Sequence, residues 1–127
     1  QLSVVDLVHR VYWEGDEAGS DPRILNDRSG RYQYLMACKQ HMARPNLEIV
    51  LHMSDHQLLL QHHALRAVDA LALADGLRVN NTVRTLNLTD NPIGERGNVA
   101  VAAALAENER IEKLCLRAAK VGWRGGE

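Results

Sequence analysis

Six histidines, two cysteines and sixteen carboxylates supply the residue types from which reactive sites are usually built. His52 and His56 stand one helical turn apart, and His62-His63 follow. A histidine pair at that spacing makes a zinc site when further ligands close the shell and a glutamate between them acts as base. Here Met53-Ser54-Asp55 intervene, so no metal is expected. Ser29 and Cys115 have no base placed beside them by any motif. Nucleophile elbow, phosphate loop and dinucleotide fingerprint are all absent. Gly94-x-x-Gly97 lacks the Lys-Ser/Thr that phosphate cradling needs, and Arg124-Gly125-Gly126 is a single copy of a sequence that acts only in long repeats. Asn80-Asn81-Thr82 and Asn87-Leu88-Thr89 fit the glycosylation sequon but are expected to stay unmodified without a secretory signal. No catalytic residue, metal or cofactor is expected.

The elements that position these residues follow from a repeat. Leu58-Leu59-Leu60-Gln61-His62-His63-Ala64-Leu65, Leu86-Asn87-Leu88-Thr89-Asp90-Asn91-Pro92-Ile93 and Leu114-Cys115-Leu116-Arg117-Ala118-Ala119-Lys120-Val121 are separated by a constant step of 28 (58 to 86 to 114). Leu77 aligns with Leu105, Asn80 with Asn108, Gly94 with Gly122 and Gly97 with Gly125. The step lies inside the ~20–29 range of leucine-rich repeats. Each Leu-x-Leu predicts a short strand with both leucines on one face. Asn91 is expected to bond backbone groups of neighbouring turns. Helices are expected over 66–77, with Ala67, Ala70, Leu71, Ala74 and Leu77 inward, and over 97–107, with Val99, Val101, Ala102 and Leu105 inward. Gly94 and Gly97 are expected to serve backbone turns.

Ahead of the repeat, residues 1–28 predict an extended or partly disordered segment: residues 1–10 alternate apolar and polar positions loosely, which fits strand-like pairing or a short helix, and the acidic, glycine-containing stretch after Trp13 cannot offset its ordering entropy. Tyr12 and Trp13 are a candidate N-terminal anchor on a partner. Residues 29–54 predict a helical cap. One helix follows Ser29-Gly30, carries Tyr32, Leu35, Met36 and Cys38, and is broken by Pro45. The second starts at an Asn46 N-cap with Glu48 in its first turn and carries Leu47, Val50 and Leu51. Such a cap covers the open end of a repeat stack. The stack itself occupies 55–127, two complete repeats and a truncated third. Its raw end, with Leu114, Leu116, Val121 and Trp123, is expected to be covered by more chain or by a partner.

Composition narrows the function. The 127 residues are 46% apolar with no Phe and 4% aromatic, so the core is aliphatic. A formal charge of −1 gives no general attraction to nucleic acid or an acidic membrane. No apolar run approaches the ~18 residues of a membrane span. Two cysteines are too few for a disulfide framework and point to a reducing, cytoplasmic setting.

Val83-x-x-Leu86-x-Leu88-x-x-Asn91-x-Ile93-Gly94 resembles the motif of ribonuclease-inhibitor-type leucine-rich repeats, and the resemblance covers 55–127. Asp55 replaces the leading leucine of the first line, and His63 and Ala119 replace the asparagine of the first and third. The resemblance implies an α/β solenoid, with short parallel strands inside and helices outside, binding proteins on its concave strand face. Tyr34-Leu35-Met36-Ala37-Cys38-Lys39 and Leu60-Gln61-His62-His63 are similar to intracellular leucine-rich repeat-containing proteins, some of them ciliary. The outward strand positions are the candidate protein-binding residues: His56, Gln57, Leu59 and Gln61; Arg84, Thr85, Asn87 and Thr89; Glu112, Lys113, Cys115 and Arg117. The expected function is a non-enzymatic interaction module, a scaffold or assembly subunit of a larger intracellular complex, with the ciliary axoneme as one setting. The alternative is a regulatory domain that inhibits or activates a partner enzyme by occupying its surface.

Overall fold

A computed structural model describes residues 3–14 and 21–116. The chain is a small mixed helix and strand domain. Three strands, β1 (Gln57–Leu59), β2 (Thr85–Asn87) and β3 (Lys113–Cys115), form a parallel sheet in the order β1-β2-β3. Leu58 pairs with Leu86 and Leu86 with Leu114, so the 28-residue step is the register of the sheet. Parallel neighbours need a crossover. These are supplied by α5 (Ala67–Val79) and α6 (Gly94–Glu107), which follow α1 (Val4–Val8), α2 (Pro22–Leu25), α3 (Arg31–His41) and α4 (Leu47–His52) in the chain.

The alternation of each strand divides the sheet into two faces. Leu58, Leu60, Leu86 and Leu88 are buried with Leu73 and Leu77 of α5, while Gln57, Leu59, Thr85 and Asn87 look outward. The outer layer is a row of helices in which α5 packs between α3 and α6. Being flanked on two sides and lying over the sheet, α5 is buried around most of its circumference: Ala70, Ala72, Leu73, Ala74, Gly76 and Leu77 all lose contact with solvent. Side chains this small let its neighbours approach. A Cβ at Gly76 would meet the Gly30 carbonyl oxygen and Met53 Cε, each at 2.8 Å, and one at Gly97 would meet Ile93 Cβ at 2.7 Å and Ala70 Cβ at 3.0 Å. Gly97 therefore serves helix packing on α5, not the turn expected of it; the turn belongs to Gly94, at φ +69°.

Residues 3–14 and 21–25 are mostly helical, which takes the short-helix alternative at the start of the chain and departs from an extended course for the described part of 11–28. Val4, Leu7, Val8 and Val11 follow the i, i+3, i+4, i+7 template of a helix, which the adjacent Val4-Val5 disguises as loose alternation. Ser3 caps α1 by accepting from the Asp6 N–H, and a π-helical segment, His9–Glu14, continues it. Asp21 caps α2 with Pro22 at its first turn, the arrangement in which a missing N–H costs nothing. Leu7, Val11 and Ile24 join the one apolar core. Between them, Asp21 takes a 2.7 Å ion pair from each of Arg10 and Arg23. The Arg23 hydrogen bonds hold its carboxyl well below the ordinary range.

The helical pair of 29–54 is present with different inward faces. In α3, Tyr34, Leu35, Ala37 and Cys38 are buried, and the helix stops at His41, ahead of Pro45, where Met42 turns left-handed and Ala43 N–H bonds the Cys38 carbonyl. In α4 the Asn46 side chain accepts from the N–H groups of Glu48 and Ile49, as an N-cap should. Ile49 and Val50 are its buried residues, whereas Leu47 and Leu51 face solvent. On α6 the buried line is Gly97, Val101 and Ala104; Val99 (62% exposed) and Ala102 point away from it. Residues 117–127, with most of the third repeat, lie outside the described residues, as do 15–20.

Candidate protein-binding surface

The sheet register sets the candidate binding residues in rows. Gln57 stands beside Thr85 and Thr85 beside Lys113; Leu59 stands beside Asn87 and Asn87 beside Cys115. His56, Arg84 and Glu112 lead into the three strands, and Gln61 and Thr89 follow the first two. Arg117 lies outside the described residues. One row is anchored by Leu59, 46% exposed, a large apolar side chain beside the Asn87 amide and the Cys115 thiol. At one end Arg84 Nη1 reaches Glu112 Oε2 at 3.5 Å. At the other, His62 Nδ1 lies 2.6 Å from Asp90 Oδ2. His62 and Asp90 occupy equivalent places 28 apart and share a left-handed backbone, φ 63° and 62°. Polar residues of this kind tolerate that region best among those with a Cβ.

Beneath the rows a set of asparagine side chains holds the turns at a constant spacing. Asn91 Oδ1 accepts from the His63 and Leu65 N–H groups at 3.0 Å each, while Nδ2 donates to the carbonyls of Leu60 (2.8 Å), Leu88 (3.0 Å) and Thr89 (3.3 Å). It is the bonding expected of Asn91. Asn80, also buried, does the same one layer away: Nδ2 donates to Ser29 and Met53 carbonyls, and Oδ1 accepts from Thr82 and Val83. Asn108 repeats the arrangement with Leu77, Asn80, Arg110 and Ile111. The alignment of Asn80 with Asn108 pointed to this pair, but only as markers of the return to a strand. Each side chain donates to carbonyls of the preceding layer; Asn80 and Asn108 accept from N–H groups of their own turn and Asn91 from those of the preceding one, so successive turns are tied together beneath the open face.

The two aromatic candidates separate. Tyr12 Oη donates to the Ala43 carbonyl at 3.2 Å, and its ring meets Trp13 edge-on at 5.0 Å. Tyr12 thus ties the N-terminal helices to the loop after α3. Trp13 is 70% exposed and is the one of the pair available to another molecule.

His52 and His56 do not converge on a common point with other ligands. His52 lies between Asp55 Oδ2 (2.8 Å) and Glu48 Oε1 (3.3 Å), and among the described residues no three His, Cys, Asp or Glu side chains are placed to hold a metal ion. Cys115 is half-buried on the open face; Cys38 is buried, and burial pushes its thiol up to about 12. Among the described residues no helix is long and apolar enough to cross a membrane. No protein-family model and no solved structure matches this chain.

Proposed function

We propose that this chain is a non-enzymatic protein-interaction module, built from leucine-rich repeats of the ribonuclease-inhibitor type, that offers the open face of its sheet to a protein partner within a larger intracellular assembly. The observation that carries the reading is the row Leu59–Asn87–Cys115, flanked by Gln57–Thr85–Lys113, on strands held in register by buried asparagines. Such a platform is formed before a partner arrives, so binding does not have to order it, and the entropic cost of association falls accordingly. The mixed composition suits a protein surface better than a polyanion: Lys113 is the only cation within the three strands. The cytoskeleton of a cilium or flagellum is the setting we propose for that assembly, on the family resemblance of residues 34–39 in α3 and of Leu60-Gln61-His62-His63 just after β1.

The test is purification of the tagged full-length protein with its partners, followed by mass spectrometry, in parallel with a variant carrying Leu59→Arg and Thr85→Arg. An assembly subunit keeps its partners through a high-salt wash and loses them in the variant. Retention of every partner by the variant overturns the assignment of this face.

A further inference from the structure

The β1 strand has a second way to recognise protein, through its backbone. In a parallel sheet, alternate residues of a strand direct both N–H and C=O to the same neighbour. On β1 the residues that serve β2 are the even ones. Leu60 N–H donates to the Asn87 carbonyl, His62 N–H to the Thr89 carbonyl, and the His56 carbonyl accepts from Thr85. The N–H and C=O of Gln57 and Leu59 therefore point away from β2, and among the described residues they have no hydrogen-bond partner. An open edge is normally blunted by lysine, proline, a bulge or a covering element. Gln57-Leu58-Leu59 carries no lysine, proline or bulge; α4 packs beside it, but among the described residues no strand pairs with this edge, and the side chains at 57 and 59 are exposed.

Beside this edge runs a groove of about 550 Å³, lined by Glu48, His52, Asp55, His56, Gln57 and Leu59. One wall is α4 and the other is β1. Its polar wall carries Glu48 and Asp55, both exposed and both facing the His52 ring that an incoming cation would have to displace or share, and no lysine or arginine, while Leu59 supplies an apolar contact. We infer that this groove is a docking site for an extended peptide that adds a fourth strand to the sheet at β1 and places a basic side chain against Glu48 and Asp55. The backbone groups of Gln57 and Leu59 supply affinity for any extended segment, and the side-chain wall selects among them. Successive side chains of the added strand alternate between faces, so those sharing the groove are two apart: an apolar one beside Leu59 and Lys or Arg beside the carboxylates. Arginine is favoured, because its planar fork can bond a carboxylate at two points. The site shares Gln57 and Leu59 with the face proposed above and adds the edge of β1 and α4, while Thr85, Asn87 and Lys113 belong to that face alone, so changes at those residues tell the two apart.

A library of short random peptides displayed on phage, panned on the full chain, tests the proposal. Enriched sequences are expected to carry Lys or Arg two positions from an apolar residue. In NMR titrations with a synthetic enriched peptide, the amides of Gln57 and Leu59 should move most. N-methylating alternate peptide amides in one register should weaken binding about tenfold or more, and in the other register leave it unchanged. Glu48→Lys with Asp55→Lys, both exposed side chains, should reverse the preference from basic to acidic peptides. Thr85→Arg, on the open face, should leave peptide affinity unaltered. No enrichment, shifts centred on β2, β3 or the outer helices, or indifference to N-methylation would each overturn the site. Loss of peptide binding in Thr85→Arg with Glu48 and Asp55 intact would assign the peptides to the open face instead.

Discussion

Asn91 shows what a single buried amide can do when each of its atoms is used. Its carbonyl oxygen and its NH₂ are spent on backbone groups of the two turns it joins, in a place from which water is excluded. Asn91→Ala strips partners from buried backbone groups of Leu60, His63, Leu65 and Leu88 together, and each orphan costs about 1–3 kcal/mol less whatever water recovers. A loss of about 2–4 kcal/mol is expected, measured by urea unfolding; a change under about 1 kcal/mol would show that the bonds are replaceable. Cys38 and Tyr34 supply a pH-dependent counterpart. Burial pushes the Cys38 thiol up to about 12, and drives the Tyr34 hydroxyl, which accepts from the Asn46 N–H, well above its ordinary range. Both groups are raised in the folded state, so their contribution is intact below the unfolded thiol value of about 8.5 and is lost as pH rises towards 12. Unfolding free energy, measured by urea denaturation, should fall above about pH 9 with a slope of up to ~1.4 kcal/mol per pH unit per group, and Cys38→Ala should remove the earlier part of the fall. Under native conditions a thiol reagent should label Cys115 and spare Cys38; labelling of both at equal rates would contradict the burial of α3.

The helices illustrate how closely elements can approach when side chains permit it. Contact between α5 and α6 passes through Gly97, and contact of α5 with the start of α3 passes through Gly76 and Gly30. Gly97→Leu forces a side chain into Ile93 and Ala70, and overpacking of this kind costs about 1–3 kcal/mol or more. A Cβ added at Gly94 meets no atom within 4 Å, so Gly94→Leu suffers chiefly from its left-handed φ, about 1–2 kcal/mol. Chemical denaturation of the two variants should rank Gly97→Leu as the more damaging; the reverse order would return Gly97 to a turn role. These packing contacts explain why the inward faces of α4 and α6 were misjudged. Leu47, Ile49, Val50 and Leu51 place apolar groups on opposite sides of a six-residue helix. Periodicity cannot choose between the sides of so short an element, and the choice fell to Ile49 and Val50. In α6 a run of alanines leaves the apolar stripe ill-defined, and the glycine that marks the contact line reads as a turn residue.

For the molecule as a whole, the interior is one continuous core running from Leu7 and Val11 through α3 and α5 to the sheet. Leu86 sits near its centre with no exposure, on the middle strand. Leu86→Asp buries a carboxylate without a partner, which costs several kcal/mol, and is expected to abolish the cooperative melt seen by circular dichroism. Arg84→Glu is the opposite case. Its ion pair with Glu112 is exposed and worth ~0–1 kcal/mol, so stability should barely move while partner binding by the open face drops. Unchanged binding would remove the lead-in to β2 from the interface.

Much of this was legible in the leucine spacing. Residues that must reach the same depth on successive strands recur at the same step, so 58, 86 and 114 declare their own register, and an asparagine at a fixed place in the repeat declares the buried amide that holds it. The strands and crossover helices, the N-cap at Asn46 and the separation of sheet faces follow from local pattern and chemistry. The tertiary structure decided the rest: that the N-terminal residues coil into helices closing the core, that Tyr12 is tied inward and Trp13 is exposed, that Gly97 is a contact point, and that among the described residues one edge of β1 stays unpaired. In each of those cases burial depends on which element arrives alongside. A chain segment carries its own periodicity, but its neighbour's position is a property of the assembled fold.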